Sequence, residues 1–213
     1  MVRWAQLEGD AEVLTGYAQR LGLPKGYQFC DVLSLDADVA IACGGPELAD
    51  SSAILVIAPV HALDSLAGES FAASGQGVFI KQTIDNACGA IALLHVLLNT
   101  NLIKGSKLQQ CLSDRPDPPS RGQWLEGDDG LAALHGEFAA MGATEQPDLA
   151  AETDLHFVAI VKINDEAVLF DGRRDYLVRL GGVGTFLYRT LAALLAIAPD
   201  SANNMAILAL VNN

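Results

Sequence analysis

KQTIDNACGAIALLHVLLN, residues 81–99, is polar and turn-forming at its start and then apolar with helical spacing. Gln82, Thr83, Ile84, Asp85 and Asn86 make the polar part. Small residues follow from Ala87, then bulky ones at Ile91, Leu94, Val96, Leu97 and Leu98. Asp85 and Asn86 are residue types that cap helix N-termini, so the pattern predicts a helix beginning beside them. Cys88 then falls in its first turn. Unpaired backbone N–H groups and the positive end of the helix dipole favour a thiolate there, and the thiolate is the reactive form. Gln82 lies six residues upstream, and a side-chain amide can donate a hydrogen bond to the oxyanion that forms when a thiolate attacks a carbonyl. A lone cysteine at the head of a core helix is more often structural, so the reading depends on finding a base.

The base comes from a second pattern. Residues 155–163 (LHFVAIVKI) and 167–171 (AVLFD) read as a β-hairpin with Asn164, Asp165 and Glu166 supplying the turn. His156 starts the first strand and Asp171 ends the second, which puts both at one end of the hairpin. A two-residue loop at Asn164 and Asp165 sets residue 156 opposite residue 173. Asp171 is then a diagonal neighbour on the same face, roughly 7–8 Å away between Cα atoms. A three-residue loop places the two on opposite faces. In the first case Asp171 holds the imidazole tautomer and supports the imidazolium, as the third member of a nucleophilic triad does. His95 lies about two helical turns beyond Cys88, roughly 10 Å along the axis, too far to take its proton. His61 and His135 have no carboxylate partner at a strand end.

Bulk properties narrow the class. The chain has 213 residues, 51% of them hydrophobic, which suits one globular domain. No apolar run approaches ~18 residues, so no membrane span is expected. The opening MVRWAQLEGDAEV lacks a hydrophobic signal core. Cys30, Cys43, Cys88 and Cys111 are widely spaced without a C-x-x-C, against zinc and against a disulfide scaffold. The expected compartment is reducing: cytoplasmic, with the nucleus as an alternative. A net charge of −13 argues against nucleic acid as partner and is compatible with steering a basic one.

Along the chain, a helix follows Gly9 or Asp10 and ends at Gly22, and residues 27–35 are extended. A short helix opens at residues 36–38, and residues 53–60 (AILVIAPV) form a central strand. Residues 61–75 are ambiguous and exposed, and residues 77–81 give a short strand leading into the Cys88 segment. Residues 102–112 form a helix, SDRPDPPSRG (113–122) is a Pro-rich turn, and residues 123–141 hold one or two helices. Residues 142–154 read as a long polar loop. A strand at 176–180, an apolar helix at 185–198 and a buried strand at 206–211 complete the chain.

Together these motifs resemble the ubiquitin C-terminal hydrolase family, the peptidase C12 type of deubiquitinating cysteine protease. The resemblance runs over nearly the whole chain, through Trp4, Leu7-Glu8, Glu12-Val13, Leu21-Gly22-Leu23, Gln28-Phe29 and Asp31-Val32. QTIDNACG, DLHFVAIV and LFDGRR carry its active-site part. The Gln-to-Cys spacing is also that of papain-like cysteine proteases. The resemblance implies a papain-like α/β fold: a central, mostly antiparallel sheet flanked by helices, with a knotted chain path. The segment before His156 becomes a crossover loop over the active site, favouring small or flexible C-terminal adducts.

It also implies roles. Cys88 is the nucleophile, His156 the general base and then acid, Asp171 the orienting carboxylate, and Gln82 joins the Cys88 N–H as oxyanion donor. Glu8 and Asp31 fall where the family holds the basic tail of ubiquitin. Asp85 departs from the family, which carries a small or uncharged residue there. Its carboxylate either raises the thiol pKa by like-charge repulsion, points to solvent or caps the helix.

Residues 1–213 are thus expected to be a single catalytic domain, a monomeric thiol hydrolase cleaving after the terminal glycine of ubiquitin, with no metal and no cofactor. The alternatives are a ubiquitin-sequestering protein with little turnover and a hydrolase for another ubiquitin-like modifier.

Overall fold

The structure, a computed structural model, describes residues 2–73, 77–142, 153–197 and 204–212. Asp10 caps α1 (Ala11–Arg20), accepting the Val13 N–H at 2.8 Å. Gly22, at φ +112°, turns the chain out of the helix. β1 (Tyr27–Asp31) follows, and Asp36 caps α2 (Ala37–Gly44). Next come β2 (Ala53–Pro59), α3 (Val60–Asp64) and β3 (Glu69–Ala72). Four helices succeed them: α4 (Cys88–Asn99), α5 (Lys107–Ser113), α6 (Pro118–Glu126) and α7 (Asp129–Ala139). The hairpin β4 (Leu155–Ile163) and β5 (Glu166–Phe170) leads to β6 (Tyr176–Leu180), α8 (Phe186–Ile197) and β7 (Ala206–Asn212).

The seven strands form one sheet in the order β1-β7-β2-β4-β5-β6-β3, and every pairing is antiparallel. The continuous apolar run of β2 is explained by its place. It lies between β7 and β4 with both faces covered, so each side chain of either parity is buried. Ala53, Leu55 and Ile57 join α1, α4 and α7 in one core, while Ile54, Val56 and Ala58 join α2 and α8 in the other. The result is an α/β domain with a buried sheet between helical layers. Helix α4 is apolar all round because residues 89–98 are all buried. No helix among the described residues is long and apolar enough to cross a membrane.

Five local expectations need correction. Residues 77–81 do not enter the sheet, because other groups take their backbone polar atoms. Asn99 accepts the Val78 N–H at 2.7 Å and donates to its carbonyl at 3.0 Å. His95 Nε2 accepts the Ile80 N–H at 2.9 Å, Arg121 donates to the Phe79 carbonyl at 2.9 Å, and Lys81 N donates to the Pro118 carbonyl at 3.1 Å. The segment is a strap across α4 and α6, not a strand.

The second correction concerns the head of α4, which Asp85 and Asn86 do not cap. Ala87 occupies the cap position with no side-chain bond. Asp85 instead exchanges backbone bonds with Val2 and Trp4, and Asn86 is left-handed at φ +62°. Third, SDRPDPPSRG is not merely a turn. Asp117 and Ser120 form a capping box and Pro118 takes the first helical position, so α6 starts inside it. Fourth, residues 61–75 contain α3 and edge strand β3, with Ala62, Leu63 and Leu66 buried. The helix expected from residue 102 begins at Lys107, where Ser106 caps it. The long loop over 142–154 falls mostly on residues 143–152, which lie outside the described residues. A knotted path is a property of the whole trace and lies outside them too.

Replacing Asn99 with Leu keeps the volume but leaves both polar groups of Val78 without their partner. The expected loss is about 1–3 kcal/mol of stability, read as a lower urea midpoint at unchanged slope.

Candidate active site

Asn164 and Asp165 are both left-handed, at φ +50° and +63°, the pair of conformations whose twist suits a two-residue hairpin loop. Ile163 therefore pairs with Glu166, and the ladder runs on to Ala159 opposite Phe170. This register puts His156 and Asp171 on one face just past the last rung. His156 Nε2 lies 2.9 Å from Asp171 Oδ1, both groups buried. With Nε2 directed at Asp171, Nδ1 is the nitrogen that faces the thiol.

Helix α4 packs against β4 and brings its first residue to that histidine. Cys88 hydrogen-bonds the His156 side chain and receives the backbone N–H groups of Phe157 and Gly89. Burial pushes the Cys88 thiol up, but the bond to His156, the imidazolium charge and the two N–H groups outweigh it and leave the thiol below its ordinary value. Burial likewise pulls His156 down, and bonding to Asp171 and Cys88 carries it above its ordinary value. The two shifts are complementary and favour a thiolate–imidazolium pair. At Asp171 burial raises the carboxyl, yet the His156 bond and Arg173 hold it well below the usual carboxylate range.

Gln82 is brought to the same place. Its backbone N–H donates to the Gly172 carbonyl at 2.9 Å, which ties the strap to the chain just after Asp171. Its Nε2 donates to the Ile84 carbonyl at 3.2 Å, which leaves the amide's second N–H for another acceptor. Cys88, His156 and Gln82 line one cleft of about 590 Å³ together with Glu8, Asn86 and Arg173. The missing side-chain cap at the head of α4 has a use here, since a capping oxygen would occupy N–H groups that face the thiol.

The N-terminal segment also contributes. Asp85 sits in the loop before Cys88, with its carboxylate 3.3 Å from Arg3 Nη2, so this charge has a cation beside it. Glu8 lines the cleft. Asp31 does not: it is exposed at the end of β1, three strands from β4 and level with Ala159 rather than His156. His95 is buried, stacked on Phe79 and pushed down to about 3 by burial, so it remains neutral. His135 packs on Trp4 and bonds the Ala5 carbonyl. Neither belongs to the cleft.

Sequence reasoning missed the cations around Asp171. Arg173 donates to both carboxylate oxygens of Asp171 and also reaches Asp64 at 2.9 Å, while Arg174 Nε lies 3.3 Å from Asp171. Two arginines, two and three residues after the carboxylate, were the available signal.

Comparison with known proteins gives matches over most of the chain. The family described as ubiquitin carboxyl-terminal hydrolase, family 1, matches residues 4–196. A ubiquitin carboxyl-terminal hydrolase of Aplysia californica is 31% identical over 182 residues, spanning 81% of this chain and 83% of its own. Ubiquitin carboxyl-terminal hydrolase isozyme L1 of Monodelphis domestica is 28% identical over 190 residues, spanning 82% of this chain and 81% of its own. The crystal structure of the Trichinella spiralis UCH37 catalytic domain bound to ubiquitin vinyl methyl ester has the same fold. Its TM-score is 0.76 at 23% identity, covering 100% of this chain and 97% of that one.

The lowered thiol pKa has a direct readout. Alkylation of Cys88 by iodoacetamide, followed against pH, is expected to show a midpoint below the ordinary thiol value of about 8.5. Exchanging His156 for Ala removes the ion-pair partner and leaves the burial, so the midpoint moves up. A wild-type midpoint at or above the ordinary value contradicts the pairing.

Proposed function

The chain belongs to the ubiquitin carboxyl-terminal hydrolase family 1, and on that premise we propose that it is a deubiquitinating thiol hydrolase in which Cys88 attacks the carbonyl of ubiquitin's terminal glycine. The observation that carries this reading is the series of half-buried Cys88 and buried His156 and Asp171 beside a cleft at the head of α4. His156 holds the thiol proton, and the thiolate adds to the carbonyl carbon. The resulting oxyanion is held by the second N–H of Gln82 and by the Cys88 backbone N–H. As the tetrahedral adduct collapses, the imidazolium gives its proton to the departing amine, alcohol or thiol, leaving a thioester. Water, deprotonated by His156, then releases ubiquitin as its carboxylate and restores the thiol. The scheme covers peptide, isopeptide, ester and thioester bonds alike.

Substrate recognition is proposed to use charge. Glu8, which lines the cleft, and Asp31 at the end of β1 are the carboxylates proposed to meet the basic tail of ubiquitin, and a net charge of −13 favours its approach. Residues 1–213 act as one catalytic domain, as a monomer in the cytoplasm or nucleus, without metal or cofactor. Small or flexible C-terminal adducts are the favoured leaving groups, as the family's crossover loop implies.

Ubiquitin carrying a C-terminal electrophile is expected to form one adduct, mapped by mass spectrometry to Cys88. Replacing Cys88 with Ala is expected to abolish hydrolysis and keep ubiquitin binding. Activity retained in that variant contradicts the mechanism. Tight binding without an adduct in the wild type indicates a sequestering protein, and neither binding nor adduct indicates another modifier.

A further inference from the structure

The strap at residues 78–82 carries Gln82 without the support of the sheet, and one guanidinium fastens it to the helices beneath. Arg121, half-buried on α6, donates through Nη1 to the Phe79 carbonyl at 2.9 Å, through Nε to the Leu112 carbonyl at 3.0 Å and through Nη2 to the Arg115 carbonyl at 3.0 Å. The first acceptor is on the strap, the second is in α5, and the third is in the turn between α5 and α6. No carboxylate takes part in these three bonds. The planar fork of arginine reaches all three at once, which an ammonium on a flexible stem does not.

The next residue adds a second constraint. Gly122 lies so close to the strap that a Cβ there would come within 2.3 Å of the Lys81 carbonyl oxygen and 2.9 Å of the Thr83 side chain. Lys81 N also donates to the Pro118 carbonyl on the same helix. Helix α6 therefore sets the position of the strap on both sides of Gln82, although neither Arg121 nor Gly122 lines the cleft.

Resting on the proposed function, we propose that Arg121 is a positioning residue for the oxyanion donor: by joining α5, α6 and the strap it fixes where the Gln82 amide stands relative to Cys88. The thiolate–imidazolium pair is built on α4 and β4 and does not use this fastening. The guanidinium bonds none of Cys88, His156 and Asp171, so its own contacts bear on the oxyanion side. Loss of Arg121 should impair the step in which negative charge develops on the carbonyl oxygen and spare the reactivity of the thiolate itself.

The test uses the whole chain with a ubiquitin C-terminal ester as substrate and iodoacetamide as a probe that develops no oxyanion. Arg121→Met is expected to lower kcat about 10- to 100-fold, with KM and the rate and pH midpoint of Cys88 alkylation unchanged. Arg121→Lys should fall between it and the wild type. Gly122→Ala disturbs the strap from the helix side and should show the same signature, so the inference stays testable if Arg121→Met does not fold. The Gln82→Ala and Arg121→Met double variant should be no slower than Gln82→Ala alone, because both act through one donor.

Three results would overturn the inference: an unchanged kcat, a loss of alkylation in step with kcat, or multiplicative losses in the double variant. A wild type that does not hydrolyse the ester overturns the proposed function, and the inference falls with it. Hydrolysis by the wild type with any of those three results removes the inference alone.

Discussion

The bond from His156 Nε2 to Asp171 Oδ1 is the constraint on which the rest of the site depends. It exists because two left-handed residues, Asn164 and Asp165, fix the hairpin register, and a register shift of one residue would turn His156 to the opposite face. With Nε2 committed to the carboxylate, the imidazole is oriented and Nδ1 is presented to the thiol. The head of α4 then supplies a cysteine in a first turn where backbone N–H groups converge on sulfur. The nucleophile and its base come from segments 68 residues apart in sequence. The packing of α4 on β4 is what makes them one group.

A buried carboxylate is costly unless its charge is met, and Asp171 is met several times over. His156, the Arg173 side chain and backbone, and Arg174 all reach it, with Asp64 sharing Arg173. Such an arrangement keeps Asp171 ionised and rigid while its side chain is fully buried. Lys81 extends the arrangement, donating to the Arg173 carbonyl at 2.8 Å and to Asp175 at 2.7 Å. Lys81 also precedes Gln82 in the strap, so the carboxylate side and the oxyanion side of the site share one piece of backbone.

Much of this was legible in the chain. β2 and the two hairpin strands announced themselves by apolar pattern and turn residues, and Asp10, Asp36 and Gly22 marked helix ends by ordinary local chemistry. His156 and Asp171 could be joined because hairpin geometry is local and follows from the loop alone, whereas Cys88 was joined to them by its helix-head pattern and the family resemblance. The strap was misread because VFIK has strand composition, while the partners that keep it out of the sheet, His95, Asn99 and Arg121, come from helices 14 residues or more away in sequence. The caps of α4 were misread for a similar reason. Asp85 has the right chemistry for a cap, but a distant segment, residues 2–4, claims its backbone. Glu8 could be placed in the cleft only through the family resemblance, since nothing near it in sequence points to Cys88.

The central claim is that His156 and Cys88 form a mutually stabilised ion pair supported by Asp171. Titration of the His156 ring nitrogens by NMR, in the wild type and with Cys88 replaced by Ser, tests it most directly. The account predicts an imidazolium that persists above its ordinary pKa of about 6.5 and titrates lower once the thiolate is gone. A His156 that titrates below its ordinary value, or at the same pH in both proteins, would contradict it.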